Sequence, residues 1–278
     1  MTDMTFNEGV SILGFVCGLF FGLFAWTVLG SLGVELSNRI TGTLIGLVAG
    51  ISGVPLLASD IHCRIIVRQR KQNKPSLKSL DLESSGLSEY SLIGIQNLDK
   101  IQKINLGLNK LKTIDLTPLA GSTSLVELIL YMNHLETIDL APLASCPNLE
   151  YLELTDNDLE SIDLTPLSSC PKLNALNIGL NQTSKIDLSP LTECRNLKIL
   201  TIDCMKLRDV DLSPLRTCKD LEFLRLDDNE FETLDITPLF ECEKLTEFNV
   251  DNIDLTTTIT RDIEEWPKGI RKHKKKIR

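Results

Sequence analysis

Five cysteines recur at one spacing in this chain, Cys146, Cys170, Cys194, Cys218 and Cys242. Six aspartates keep the same spacing, Asp115, Asp139, Asp163, Asp187, Asp211 and Asp235. A column of thiols can hold a soft metal or relay electrons, and a column of carboxylates can hold calcium. Neither column has the company that such chemistry needs. No Cys-x-x-Cys occurs, and with only His62, His134 and His273 a zinc cluster lacks ligands. The cysteines read instead as small buried packing residues, kept reduced in a cytoplasmic setting. Each Asp stands two residues before a Thr, Ser or Ala that is followed by Pro, where its carboxylate can bond its own turn. The chain has no phosphate loop, nucleophile elbow or HExxH. The expectation is a protein that is not an enzyme and needs no cofactor or metal.

The elements that carry these columns come from a repeat. TIDLTPL (113–119), TIDLAPL (137–143), SIDLTPL (161–167), KIDLSPL (185–191), DVDLSPL (209–215) and TLDITPL (233–239) follow one another every 24 residues. Large aliphatic residues keep the same step at Leu77, Ile101, Leu125, Leu149, Leu173, Leu197, Leu221 and Leu245. The unit is LxxLxLxxNxLxxIDLTPLxxCxx, in eight copies from about 77 to about 260. A fixed period of this size signals a solenoid. The LxL pair alternates like a strand, and eight strands stacked at about 4.8 Å make a parallel sheet roughly 38 Å long. The recurrent Asn109, Asn133, Asn157, Asn181 and Asn229 can bond the backbone where the chain leaves the strand. Thr117-Pro118 and its counterparts read as a helix start, with Thr or Ser as N-cap and Pro in the first turn. The end copies deviate, with Ser85 and Ile253 at the Asn position, as solenoid caps do. Met205 replaces Asn in the sixth copy, and Trp266 is placed to cover the last leucines.

The segments LVELILYMNHL (125–135), LEYLELTDNDL (149–159) and LEFLRLDDNEF (221–231) resemble the leucine-rich-repeat family, over roughly two-thirds of the chain. The resemblance implies an α/β solenoid: a curved parallel β-sheet with short helical turns on its convex side, and partners bound on the concave sheet face.

Residues 9–34 and 40–59 contain no charge. As helices they would measure roughly 39 and 30 Å, enough for a hydrocarbon core of about 30 Å. The turn Glu35–Arg39 between them makes a transmembrane hairpin. A cleaved signal peptide fits poorly, because MTDMTFNEG has no basic residue and a second apolar run follows at once. Arg64, Arg68, Arg70, Lys71 and Lys74 follow the second span against a lone Arg39 in the turn, which places the N-terminus and the repeat array in the cytoplasm. Gly14, Gly18 and Gly22 in one span, and Gly42, Gly46 and Gly50 in the other, line helix faces that can pack on each other or form a homo-oligomer.

Residues 75–260 hold 31 Asp and Glu against 15 Lys and Arg, a net of −16. That acidity argues against nucleic acid as the partner. The tail KGIRKHKKKIR (268–278) reads first as a solvated, mobile end, with contact to anionic lipid or folding back onto the acidic array as alternatives. On the sheet face, Ile129, Tyr131, Tyr151, Ile199 and Phe223 with Glu153, Arg225 and Asp227 form an aromatic and aliphatic centre with a charged rim, the composition of a protein interface.

The organisation expected is an N-terminal tail with two spans (1–60), a basic linker (61–75), the repeat domain (76–260), and a cap with a basic tail (261–278). The function expected is a two-pass, membrane-anchored scaffold that binds a protein partner through the concave face. The alternative is a membrane-structural protein whose glycine-lined hairpin oligomerises or remodels the bilayer, with the array as regulator.

Overall fold

The structure, a computed structural model, describes residues 78–93, 95, 98–259 and 265–277. The chain divides at Lys74/Pro75, and the described residues belong to the second unit. Both apolar segments, their glycines and the basic linker lie outside the described residues. Among the described residues, no helix is long and apolar enough to cross a membrane.

Among the described residues, ten three-residue strands follow in chain order: β1 Ser79–Asp81, β2 Lys103–Asn105, β3 Glu127–Ile129, β4 Tyr151–Glu153, β5 Ala175–Asn177, β6 Ile199–Thr201, β7 Phe223–Arg225, β8 Thr233–Asp235, β9 Glu247–Asn249 and β10 Asp254–Thr256. Among the described residues, β1 to β7 and then β9 form one eight-stranded sheet, and β10 pairs with β8 in a second. All pairs are parallel, and in the large sheet each residue faces the one 24 positions on, as Tyr151 faces Ala175 and Ala175 faces Ile199. The parallel sheet implied by the sequence is therefore present. The second sheet is not apparent in the repeat phrase, because β10 lies only 21 residues after β8 and falls out of the 24-residue step.

Opposite the sheet, each coil closes with a 3-10 turn, such as Ala141–Ser145, Thr165–Ser169 and Ser189–Glu193. The strand leucines and the leucines of these turns meet between the two layers. Leu152, Leu164 and Leu167 of one coil are buried, as are Leu176, Leu188 and Leu191 of the next. A fully buried leucine contributes about 1.5–3 kcal/mol, so the column supplies the main cohesion of the array.

The start of each turn differs from the expectation. Thr117 is not the cap: the N-cap position is Leu116, and no side chain of that residue or of its counterparts caps the turn. The aspartate does the work, accepting the amide of the residue two further on. Asp115 Oδ1 accepts from Thr117 at 2.9 Å, Asp163 from Thr165 at 2.9 Å and Asp211 from Ser213 at 2.8 Å. The Thr117 and Thr165 side chains, and then these amide bonds, hold the carboxyls of Asp115 and Asp163 below their ordinary range, while for Asp211 the Ser213 amide bond leads and its hydroxyl adds to it. The column is a set of local turn braces, as its spacing predicts.

All five repeat cysteines are free and fully buried. The Cys170 thiol lies 3.4 Å from the Leu143 carbonyl of the previous coil, and that of Cys242 lies 3.3 Å from Leu215. Burial pushes the Cys170, Cys194 and Cys242 thiols up to about 12 and that of Cys218 to about 11, so the reactive thiolate is suppressed.

The basic tail is not a mobile end. Lys268–Arg271 forms a helical turn whose Ile270 is fully buried, and the Gly269 amide donates to the Leu245 carbonyl at 2.9 Å. His273 Nε2 lies 2.8 Å from the Phe248 carbonyl, with its ring edge-on to Phe248. Lys272 Nζ donates to Asn249 Oδ1 and Lys276 Nζ to the Asp251 carbonyl, both at 3.1 Å. Trp266 stacks edge-on against Phe240 at 5.1 Å and closes this end, as expected of a cap.

Burial holds the His273 imidazole below its ordinary range against the opposing bond to Phe248, with Lys272 and Lys276 adding to the depression. A histidine with a depressed folded pKa is neutral in the folded cap. The stability it contributes is therefore intact above its unfolded pKa of about 6.5 and is lost as pH falls below that value. In a Trp26→Phe chain, Trp266 emission should shift to the red between about pH 7 and pH 5 as the cap loosens, and His273→Gln should abolish the shift.

Candidate functional site

The strand residues that point away from the core form a grid on the open face of the sheet. The first row carries Lys103, Glu127, Tyr151, Ala175, Ile199, Phe223 and Glu247. The second carries Asn105, Ile129, Glu153, Asn177, Thr201, Arg225 and Asn249 on the same strands. Two residues further along stand Glu83, Gly107, Tyr131, Thr155, Gly179, Asp203, Asp227 and Asp251, a third row by the two-residue period of a strand.

All eight residues singled out from the sequence lie on this grid, in unequal roles. Phe223 is 40% exposed. Tyr151, Ile199 and Glu153 are half-buried, as are Tyr131 and Asp227, while Arg225 is exposed. Ile129 is only 8% exposed. It sits between Asn105 and Glu153 in register, with Tyr151 one strand over and Tyr131 two residues on, so it supports the face and offers little surface.

Two hydrogen-bonded clusters fix the tyrosines. The Tyr131 hydroxyl donates to Glu83 Oε1 at 2.7 Å, and Asn105 Nδ2 donates to Glu83 Oε2 at 2.8 Å. Tyr131 reaches Glu83, two coils away, by lying across Gly107, where any Cβ would collide with the ring. Glu83 is held below its ordinary range by these bonds, and Tyr131 is pushed up to about 12, first by its bond to Glu83. The Tyr151 hydroxyl donates to Glu153 Oε2 at 2.6 Å, joined by Asn177 Nδ2 at 2.7 Å, and the Thr201 hydroxyl donates to Asn177 Oδ1 at 3.1 Å. Burial and then the Glu153 bond raise Tyr151 far above the ordinary phenol value. Both hydroxyls are thus committed within the protein, and the tyrosines present ring surface.

Toward the C-terminal coils the face turns acidic. Arg225 pairs with Asp203 at 3.1 Å and Asp227 at 3.3 Å. Burial raises the Asp203 carboxyl, and the Arg225 guanidinium opposes that. Gly179 makes room for Asp203, since a Cβ there would meet both its carboxylate and its carbonyl. Among the described residues, no group of three or more His, Cys, Asp or Glu is disposed to hold a metal.

The residue after the third row adopts a left-handed conformation in seven successive coils, at Ser84, Leu108, Met132, Asp156, Leu180, Cys204 and Asp228, with φ between 50° and 58°. Asn, Asp and Gly suit this region, whereas bulky residues there are outliers that cost about 1–2 kcal/mol. Leu108, Met132 and Leu180 nevertheless sit there 36, 44 and 44% exposed. The sequence signal was the residue before each recurrent Asn, which is apolar in these three coils, although φ itself is not readable from it. Leu180→Asn should therefore stabilise the array by about 1 kcal/mol in urea titration. A loss of stability would mean that Leu180 packs more productively than its exposure indicates.

No protein-family model matches the sequence, and no curated protein matches it. Solved structures do. A leucine-rich-repeat protein of Leptospira interrogans is similar with a TM-score of 0.54 and 22% identity, covering 66% of this chain and 51% of that one. Internalin C2 from Listeria monocytogenes str. 4b F2365 is similar with a TM-score of 0.50 and 28% identity, covering 63% of this chain and 80% of that one. The match thus spans about half the length of the Leptospira protein. The structural neighbours are leucine-rich-repeat proteins, and the array is a solenoid of that type, built on a parallel sheet.

Proposed function

We propose that this protein is a membrane-anchored scaffold whose repeat array captures a protein partner on the open face of the sheet. A leucine-rich-repeat solenoid suits that role, because stacked coils build a long, regular surface without enclosing a cleft. The observation that carries the reading is the apolar run Tyr151, Ala175, Ile199 and Phe223, side by side on four adjacent strands, with Phe223 40% exposed. An exposed phenylalanine in a polar rim is the composition of an interface centre.

The membrane part of the proposal rests on the sequence alone. Two uncharged segments, 9–34 and 40–59, are long enough to span, and the basic residues after them favour a cytoplasmic array with repeats of 24 residues. The glycine faces at Gly18 and Gly46 suit packing between the two spans or between copies. The exposed Lys274 and Lys275 suit contact with anionic lipid.

A chain beginning at Pro75 tests the division of labour. It should still bind the partner of the full chain, and Phe223→Ser should weaken that binding. A truncated chain that is inert while the full chain binds would move the recognition surface into residues 1–74 and end the proposal.

A further inference from the structure

We infer that the open face takes an extended cationic segment, with one large apolar side chain against Ile199 and Phe223 and Lys or Arg side chains beside it on the acidic C-terminal coils. This rests on the reading of the open face as the binding surface, and it adds the chemistry of the occupant.

The apolar row has a shape. Ala175 is 3% exposed between the larger Tyr151 and Ile199, so the row dips there and rises to Phe223. Four strands span about 14 Å, the reach of four or five extended residues. The flanking hydroxyls of Tyr151 and Thr201 are already bonded to Glu153 and Asn177, so this strip offers contact area rather than hydrogen-bond readout.

Charge selects the occupant. On the open face around Phe223 stand Asp227, Asp228, Glu247 and Asp251, against Arg225 on these strands and the Lys272 and Lys276 ammoniums of the cap. Arg225 is engaged by Asp203 and Asp227, and Asp251 accepts the Asp228 and Asn229 amides at 3.1 and 3.3 Å. Glu247 and Asp228 are exposed. Phosphate-bearing partners and a second copy of the same face are repelled by this field, whereas a cationic segment is drawn to it. The chain itself supplies a precedent: the Lys272 ammonium rests on Asn249 and that of Lys276 on the Asp251 carbonyl, at the same end of the array.

The test is selection of random decapeptides displayed on phage against the intact protein in zwitterionic nanodiscs, after counter-selection on empty discs. The expected winners carry two or more Lys or Arg within five residues of a Phe, Leu, Ile or Trp. A synthetic consensus peptide should lose roughly tenfold or more in affinity on Phe223→Ser. It should lose a similar factor on the combined Asp228→Asn and Glu247→Gln, and weaken in about 0.5 M salt. The charge variants are conservative, and Asn suits the left-handed φ of 56° at Asp228, so they should keep the native circular dichroism spectrum. Winners without basic residues that still depend on Phe223 would overturn the cationic occupant while leaving the binding face in place. Failure to enrich any sequence, or indifference of the winners to Phe223→Ser, would overturn both.

Discussion

Asn157→Ala is expected to lower the stability of the array by about 3–5 kcal/mol, far more than truncation of a polar residue usually costs. Asn157 is buried at the point where its coil leaves the strand. Its Oδ1 accepts the Leu135 amide of the previous coil at 3.1 Å. Its Nδ2 donates to the Leu130 carbonyl at 3.1 Å and to the Leu154 carbonyl at 3.0 Å. One side chain thus satisfies backbone groups of two coils where water does not reach, and each group stranded by its loss costs about 1–3 kcal/mol. Asn157→Asp should be at least as damaging, since a carboxylate cannot donate to the carbonyls and carries charge into the site. Asn229, which makes the same set of bonds half-buried and with a longer 3.3 Å bond to Leu207, should lose less on truncation. Urea midpoints of the three variants decide the matter. A loss below about 1 kcal/mol for Asn157→Ala would mean that water or a backbone shift replaces the stitch.

Leu176→Ala should cost a similar amount, about 3–5 kcal/mol, and should also change how the protein unfolds. Leu176 is fully buried in β5, in register with Leu152 and Leu200. Its removal opens a cavity beneath three coils at once. Because each coil of a solenoid contacts only its neighbours, a weak central coil separates the stability of the two halves. In a Trp26→Phe chain, Trp266 reports the C-terminal end, so its fluorescence transition should part from the circular dichroism transition in Leu176→Ala and coincide with it otherwise. Leu80→Ala in the edge strand β1 should lower the midpoint less and leave the transitions together.

The repeat made most of the fold legible. The leucine columns, the Asn stitches, the buried cysteines and the Asp-braced turns follow from residue type at fixed spacing, because stacking in register converts a sequence period into a spatial column. Two features did not follow. Thr before Pro satisfies the pattern of a helix cap, yet it is the Asp two residues earlier that braces the turn, by accepting the amide of the Thr itself, and the sequence does not rank the two acceptors. The tail reads as solvated by its charge, but Ile270, His273 and Ile277 are spaced three and four apart, the signature of one apolar face. Ile270 is buried, His273 bonds Phe248, and Ile277 bridges to Leu255.

The open face was legible only in part. Alternation placed Tyr131, Tyr151, Ile199 and Phe223 on it correctly, but exposure depends on neighbours in adjoining coils. Ile129 is buried for that reason, between Asn105 and Glu153 in register. The glycines at 107 and 179 look like ordinary turn residues in sequence, and in space each receives a side chain from the next coil. The exposed left-handed positions of Leu108, Met132 and Leu180 depend on a backbone angle that residue types alone do not reveal.

Site-resolved photo-cross-linking in the intact protein tests the central claim most directly. A benzophenone side chain is placed at Phe223 on the open face, and separately at Ser169 on the opposite turn, in cells that make the protein. A discrete adduct is expected from position 223, lost when Ile199→Ser is added, with none from position 169. Equal adducts from both positions, or an adduct from position 169 alone, would contradict the assignment of recognition to the open face of the sheet.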